Sequence, residues 1–270
     1  MRKLNQSDHE DVMRLLSKRR KRPAENLFTL WGIEAYGYEA DIQTLWGQFD
    51  SDGELNAVLC KFKNKYTPYW ETGCNVQVIA DMINADTNEK QVNGIERLTK
   101  EIEPLITEGY SKRESYYYAK CDPTPNHNHS DSVRCLSEEE VPRLISFYQE
   151  VPEFKREYNP ESFMDQISNG WSRIFVIEED DKLISSASTV CETSVAAMVS
   201  GVCTLPEKKG KGLASICVEH LMHNLFQENK TLTLFYDNLE AGRIYKRLGF
   251  IDIEKWTINH CKERNYHNDN

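Results

Sequence analysis

Residues 204–215, Thr-Leu-Pro-Glu-Lys-Lys-Gly-Lys-Gly-Leu-Ala-Ser, have the types and spacing needed to grip an anion. They join an apolar run ending Val199-Ser200-Gly201-Val202-Cys203-Thr204 to a helical pattern running from Leu213 to about Glu228. Glycines let the backbone approach a ligand. The first N–H groups of a helix have no intrahelical acceptor, and the helix dipole favours negative charge there. Lys208, Lys209 and Lys211 add full positive charges, and a pyrophosphate is the natural occupant.

Three nucleotide-binding loops share this look. A Walker A loop aligned on Gly210-Lys211 would need glycine where Leu205 stands and Ser or Thr where Gly212 stands, so that reading fails. A dinucleotide fingerprint would need a third glycine where Ser215 stands. A coenzyme A loop is the third, and a lysine-rich turn capping an ordinary helix is the structural alternative. The residues downstream separate these. Thr231 to Tyr236 reads as a strand, Asp237-Asn238 follows, and a helical stretch from Ala241 to Leu248 stops at Gly249-Phe250.

With these residues the chain resembles the GNAT N-acetyltransferase superfamily. The family's pyrophosphate loop, [Gln/Arg]-x-x-G-x-[Gly/Ala], maps onto Glu207-Lys208-Lys209-Gly210-Lys211-Gly212. Its later signature maps onto Asn238, Tyr245, Gly249 and Phe250. Two departures stand out: Glu207 replaces the usual Gln or Arg, and Lys209 replaces a frequent arginine, keeping its charge as a point rather than a planar fork.

The resemblance implies direct transfer of an acetyl group from acetyl-CoA to a primary amine. It implies that backbone groups of Val202 and Thr204 pair with the pantetheine arm like an added strand, with the Cys203 N–H polarising the thioester carbonyl. Lys208, Lys209, Gly210, Lys211, Gly212, Leu213 and Ala214 would then hold the pyrophosphate. Asn238 would bond near the pantetheine or the amine, or cap the following helix. Tyr245 would protonate the departing thiolate as general acid; the alternative is a helix tyrosine packed on Phe250. Non-catalytic acyl-CoA binding, a longer acyl chain and an oxygen acceptor are the competing functions.

No general base is readable. Glu178 and Glu192 read as solvated turn charges, and a water chain is the other route. His220 and His223 read as surface histidines of the helix after the loop. Cys203 has no histidine in an identifiable partner motif, which argues against a covalent acyl-enzyme. Trp31, Trp46, Trp70 and Trp171 read as core or interdomain packing, while Tyr66, Tyr69 and Trp70 are also candidates to line an acceptor cleft.

Two elements of the same kind must position these groups, because the chain states one pattern twice. Asp11–Ser17 parallels Glu140–Ser146, each behind an apparent capping box, Ser7-x-x-Glu10 and Ser137-x-x-Glu140. Phe49–Leu55 parallels Ile177–Leu183 as strand, acidic turn, strand, and Glu108-Gly109-Tyr110 echoes Leu248-Gly249-Phe250. In this alignment the first-half counterpart of the cradle falls in Val76–Ile83, which has neither glycine nor lysine, and Leu105 stands opposite Tyr245. The expectation is an α+β (mixed α/β) protein of two GNAT-like domains, each a mostly antiparallel twisted sheet flanked by helices. Residues 1–125 form a degenerate domain lacking the coenzyme loop, 126–132 a polar linker, and 133–270 the acetyl-CoA-binding catalytic domain.

Composition bounds the rest. The chain has 270 residues, 39% hydrophobic and 28% charged, enough for two ordinary domains. Its net charge of −10 opposes general nucleic-acid binding and suits a cationic, amine-bearing acceptor, small molecule or protein. No apolar run approaches the ~20 residues of a membrane span, and the polar N-terminus lacks a secretory signal. Eight scattered cysteines without a C-x-x-C pair suit a reducing cytoplasm, with no disulfide framework and no metal site. His127 and His129 read as solvated linker residues, and the protein as a monomer or homodimer.

Overall fold

The computed structural model describes residues 1–17, 22–124 and 129–262; His127 and the start of the linker lie outside them. In chain order the strands are β1 (Arg2–Lys3), β2 (Gln43–Phe49), β3 (Leu55–Phe62), β4 (Lys65–Trp70), β5 (Gln91–Ile95), β6 (Tyr110–Cys121), β7 (Val133–Cys135), β8 (Ile174–Glu179), β9 (Lys182–Val190), β10 (Ala196–Thr204), β11 (Thr231–Tyr236) and β12 (Ile251–Cys261). The helices are α1 (His9–Ser17), α2 (Arg22–Glu25), α3 (Leu27–Tyr36), α4 (Val76–Ala85), α5 (Glu96–Ile102), α6 (Val141–Glu150), α7 (Pro160–Ser168), α8 (Leu213–Gln227) and α9 (Leu239–Arg247). They form two compact units. The first comprises Met1–Tyr118, Phe235–Asp237 and the segment from Asp252 onward; the second comprises Ala119–Leu234 and Asn238–Ile251.

The first unit's sheet runs β1-β2-β3-β4-β5-β12-β6. The pairs β1/β2, β2/β3, β3/β4 and β5/β12 are antiparallel, and β4/β5 is parallel. So a strand from the far end of the sequence lies inside this sheet, in register from Trp256↔Ile95 to His260↔Gln91. The unit is therefore not a continuous stretch of chain. The stripe Val12, Leu15 and Leu16 on α1 is buried, at the spacing of one helix face, and α1 packs on β3. In the β2–β3 turn the Asp50 carboxylate accepts from the N–H groups of Asp52 and Glu54, each at 2.9 Å. Tyr66, Tyr69 and Trp70 are buried, and the Tyr66 hydroxyl donates to Asp86 at 2.8 Å. Their apolar bodies are part of the first unit's core.

The helix-entry signal at the N-terminus is two residues earlier than Ser7-x-x-Glu10, at Asn5-x-x-Asp8. Asn5 accepts from the Ser7 N–H at 2.8 Å while Asp8 accepts from the Asn5 N–H at 3.0 Å. Asp8 also takes an ion pair from Arg2 at 2.6 Å, which fixes the box at this register. The strand-to-helix turn of this unit is also earlier than Val76–Ile83, which lies within α4. It is the short segment 71–75, where Gly73 has φ +84° and the Asn75 side chain caps α4 by accepting from the Gln77 N–H at 3.2 Å.

The second unit's sheet runs β7-β8-β9-β10-β11, antiparallel except for the parallel β10/β11 pair. Strand β9 is buried from Leu183 to Thr189, on both faces, as a central strand should be. Helix α8 packs on β8, β9 and β10 and presents Cys217, Val218, Leu221, Met222 and Leu225, all fully buried. Here the capping box falls where the sequence places it, with Glu140 accepting from the Ser137 N–H at 3.1 Å. Each unit thus repeats one plan: helix, antiparallel hairpin, strand–helix–parallel strand, then a further helix. Helix α9 ends against left-handed Gly249 at φ +98°, whereas Gly109, at φ +68°, lies in a turn beyond the 3₁₀ segment Glu103–Leu105 that follows α5. Together they are the mixed α+β architecture that the sequence suggests, two like units each built on a mostly antiparallel sheet flanked by helices.

Two carboxylates make acid stability predictable. Burial would raise the Asp86 carboxyl, but hydrogen bonds from Lys61 (2.6 Å) and Tyr66 (2.8 Å) outweigh it and hold the group far below the usual range. Arg134, donating at 2.7 Å, holds Glu140 down to about 2. A carboxyl depressed in the folded state stabilises above its unfolded pKa and loses that contribution as pH falls through the folded value. The thermal midpoint should therefore fall as pH drops below about 4.5 and continue falling to about 2. Glu140→Gln should flatten that slope in a pH series of melts.

Candidate active site

The site grows from a strand that leaves its neighbour. Strand β10 pairs with β11 only through Ala196–Met198 and Thr231–Thr233, so among the described residues Val199–Thr204 have no β11 partner. Their pairing with β9 is broken by a bulge between Ser200 and Cys203. At its centre Gly201 has φ +58°, and a Cβ there would lie 2.5 Å from Ser188 Oγ and 2.6 Å from the Tyr148 hydroxyl. Only glycine fits. Ser186 Oγ donates to the Gly201 carbonyl at 2.7 Å and Ser185 Oγ to the Cys203 carbonyl at 3.0 Å. The bulge is held from the β9 side, and the opposite edge of β10 is available to a ligand.

Beyond Thr204 the chain makes a short 3₁₀ turn, Pro206–Lys208, and enters α8. Gly210 (φ +83°) and Gly212 (φ +77°) are both left-handed, a region that penalises any residue with a Cβ. Gly212 is the N-cap of α8 and supplies no side-chain acceptor. The N–H groups of the first turn therefore have neither an intrahelical nor a capping partner from it. This is the reverse of the capped turn before α4. Lys208 is ion-paired with Glu179, and Lys209 with Glu153 at 2.9 Å.

A cavity of about 590 Å³ joins these pieces. Val202, Cys203 and Thr204 line it from β10, and Lys208, Lys209, Gly210, Gly212, Leu213 and Ala214 from the turn and α8. Asn238 and Tyr245 line it from α9. Lys211, chosen with them from the sequence, is exposed and lies off the cavity wall. Asn238 caps α9, accepting from the Glu240 N–H at 2.8 Å, and so starts that helix at Leu239 rather than Ala241. The Tyr245 ring meets Phe250 edge-on at 5.9 Å. Burial, with the nearby Cys203 adding to it, pushes the phenol up to about 12, so it carries its proton at neutral pH. Burial likewise pushes the Cys203 thiol up to about 12, which leaves no thiolate for a covalent step.

Seven further residues of the wall escaped the sequence reading: Val151, Glu153, Ser215, Glu240, Ala241, Ile244 and Arg247. Arg247 donates to Ser215 Oγ at 3.2 Å. Its place in the last turn of α9, on the turn-to-turn repeat from Ile244, is a signal that helical periodicity carries. Val151 and Glu153 come from the connection after α6, where no local pattern points to the loop.

Three polar groups differ from their sequence reading. Glu192 is not a solvated turn charge. It is buried between Arg173 at 2.7 Å and Lys230 at 3.1 Å, and burial, which would raise its carboxyl, is outweighed by those partners. Glu178 is committed to Arg134 and Arg143. His220 is buried rather than surface-exposed, ringed by Phe175 at 5.3 Å and His129 at 4.7 Å, and its pKa is lowered by burial and then by His129. Among the described residues no three His, Cys, Asp or Glu side chains gather to hold a metal, and no helix is long and apolar enough to cross a membrane.

Comparison with known proteins agrees with the fold. Residues 180–258 match the FR47-like protein family. No curated protein matches the sequence. Among solved structures, a Drosophila protein superposes with a TM-score of 0.69 at 11% identity, covering 97% of this chain and 98% of its own. A GCN5-related N-acetyltransferase from Sphaerobacter thermophilus gives 0.62 at 12% identity, covering 97% and 95%. A tandem GNAT protein from the clavulanic acid biosynthesis pathway gives 0.60 at 10% identity, covering 97% and 98%. The chain therefore has the tandem fold of the GNAT acetyltransferases, with the FR47-like signature in its second half.

Proposed function

We propose that the second unit binds acetyl-CoA and transfers its acetyl group to a primary amine, while the first unit is a degenerate copy that has lost the coenzyme loop. One observation carries this reading: a bulged, half-unpaired strand, an uncapped glycine-bearing helix start and a protonated tyrosine converge on one cavity. The residues fit the ligand. The free edge at Val202 and Thr204 matches an amide-bearing arm, and the turn at Gly210–Ala214 matches a diphosphate. When bound, the thioester supplies the activated acyl carbon. The Cys203 N–H polarises its carbonyl, and Lys208 and Lys209 add charge at the diphosphate. Tyr245 donates its proton to the leaving sulfur.

The degenerate first unit is supported by the contrast between the two turns. Segment 71–75 is short, has no lysine, and has its helix start filled by Asn75. The test is calorimetry with coenzyme A, followed by a screen of polyamine, aminoglycoside and peptide amines with acetyl-CoA. The expected results are stoichiometric binding, one molecule per chain, and thiol release with at least one acceptor class. No heat of binding by folded protein would refute the assignment.

A further inference from the structure

The charged groups around the cavity show an arrangement that the function alone does not require. Two carboxylates line the wall, Glu153 and Glu240. Glu240 stands in the first turn of α9, where the positive end of its own helix satisfies its charge. Glu153 belongs to the turn Pro152–Phe154, and its oxygen accepts from Lys209 Nζ at 2.9 Å. Lys209 is also a lysine of the anion cradle, so one ammonium serves two anionic claims. The same carboxylate acts electrostatically on the Cys203 thiol, beside the position where the acyl carbonyl is polarised.

Resting on the acetyltransferase reading, we infer that Glu153 is the group that takes the acceptor amine's proton, and that Lys209 masks it until a diphosphate enters the cradle. Both partners of the ion pair are largely exposed, Lys209 at 49% and Glu153 at 61%, so the pair is worth little in water. A diphosphate offers Lys209 more charge, and the turn's N–H groups bind it at the same time. Lys209 turns to the phosphates and Glu153 is released toward the cavity. Its hydrogen bond from Lys209 holds the carboxyl below its ordinary value, so release also makes it a better proton acceptor. As the amine nitrogen bonds to the acyl carbon, one N–H proton passes to Glu153. As the C–S bond breaks, Tyr245 gives its proton to sulfur, and the Glu153 proton returns to the phenolate through solvent. Donor binding thus precedes and creates the amine site.

The test is a double-mutant cycle with Glu153→Gln and Lys209→Met. Calorimetry with coenzyme A should show E153Q binding about 2- to 5-fold tighter than wild type, because Lys209 no longer has to leave a partner. In the K209M background E153Q should change affinity by less than that. With acetyl-CoA and spermidine, kanamycin or a lysine-bearing peptide, E153Q should lower turnover by about 10²-fold or more. Unchanged turnover in E153Q, or no coupling between the two sites in coenzyme binding, overturns the inference. Wild-type protein that does not bind coenzyme A would instead overturn the function it rests on.

Discussion

Tyr245→Phe is expected to lower acetyl transfer by about 10²-fold or more while leaving coenzyme A affinity close to that of wild type. The substitution keeps the ring, so the edge-on contact with Phe250 survives while the proton-bearing hydroxyl is lost. With the phenol pushed up to about 12, the donor form dominates throughout the ordinary assay range. The pH–rate profile of the wild type should accordingly show no loss of activity from this group below about pH 10. Steady-state turnover with acetyl-CoA, together with calorimetry on the same preparations, checks both halves. Equal turnover in the two proteins would remove Tyr245 from the chemistry and leave it as packing.

A second large effect should follow from Gly212→Val. At φ +77° a β-branched residue is a true outlier, so the turn must rearrange even though a Cβ there meets no neighbouring atom. The main-chain N–H groups that start α8, the proposed diphosphate cradle, then lose their alignment. Hydrogen bonds to a charged group are worth about 1.5–3 kcal/mol each, so displacing two weakens coenzyme A binding by about 100-fold or more. Thermal unfolding should move much less, since α8 stays anchored by its buried face of Cys217, Val218, Leu221, Met222 and Leu225. Coenzyme binding that survived this change would show that the lysines, not the main chain, carry the affinity.

The contrast between what the sequence disclosed and what it hid follows interaction range. The cradle was legible because its chemistry is local: a strand end, two glycines and a helix start, all within residues 204–215. The cap that Asn238 makes and the place of Tyr245 on the helix it starts were legible for the same reason, since capping and helical spacing act over a few residues. Glu153 was not, because it reaches Lys209 across 56 residues and lies in a turn with no pattern of its own. Glu192 and His220 were read as solvent-facing from residue type alone. Their partners, Arg173 at 19 residues and Lys230 at 38 for Glu192, and Phe175 for His220, are brought by the fold. The place of β12 was hidden too. An alternating apolar pattern shows that a strand exists and which face is buried, not which strand it will join.

That placement has a consequence for how the molecule is made. Bonds between β12 and β5 span 163 residues of chain, from Thr257 to the Gly94 carbonyl. While a ribosome is still threading out the intervening stretch, β5 and β6 have a vacant seat between them and present raw edges to solvent. Nascent chains at that stage are natural clients for chaperones, and the first sheet closes only after every strand of the second has been made.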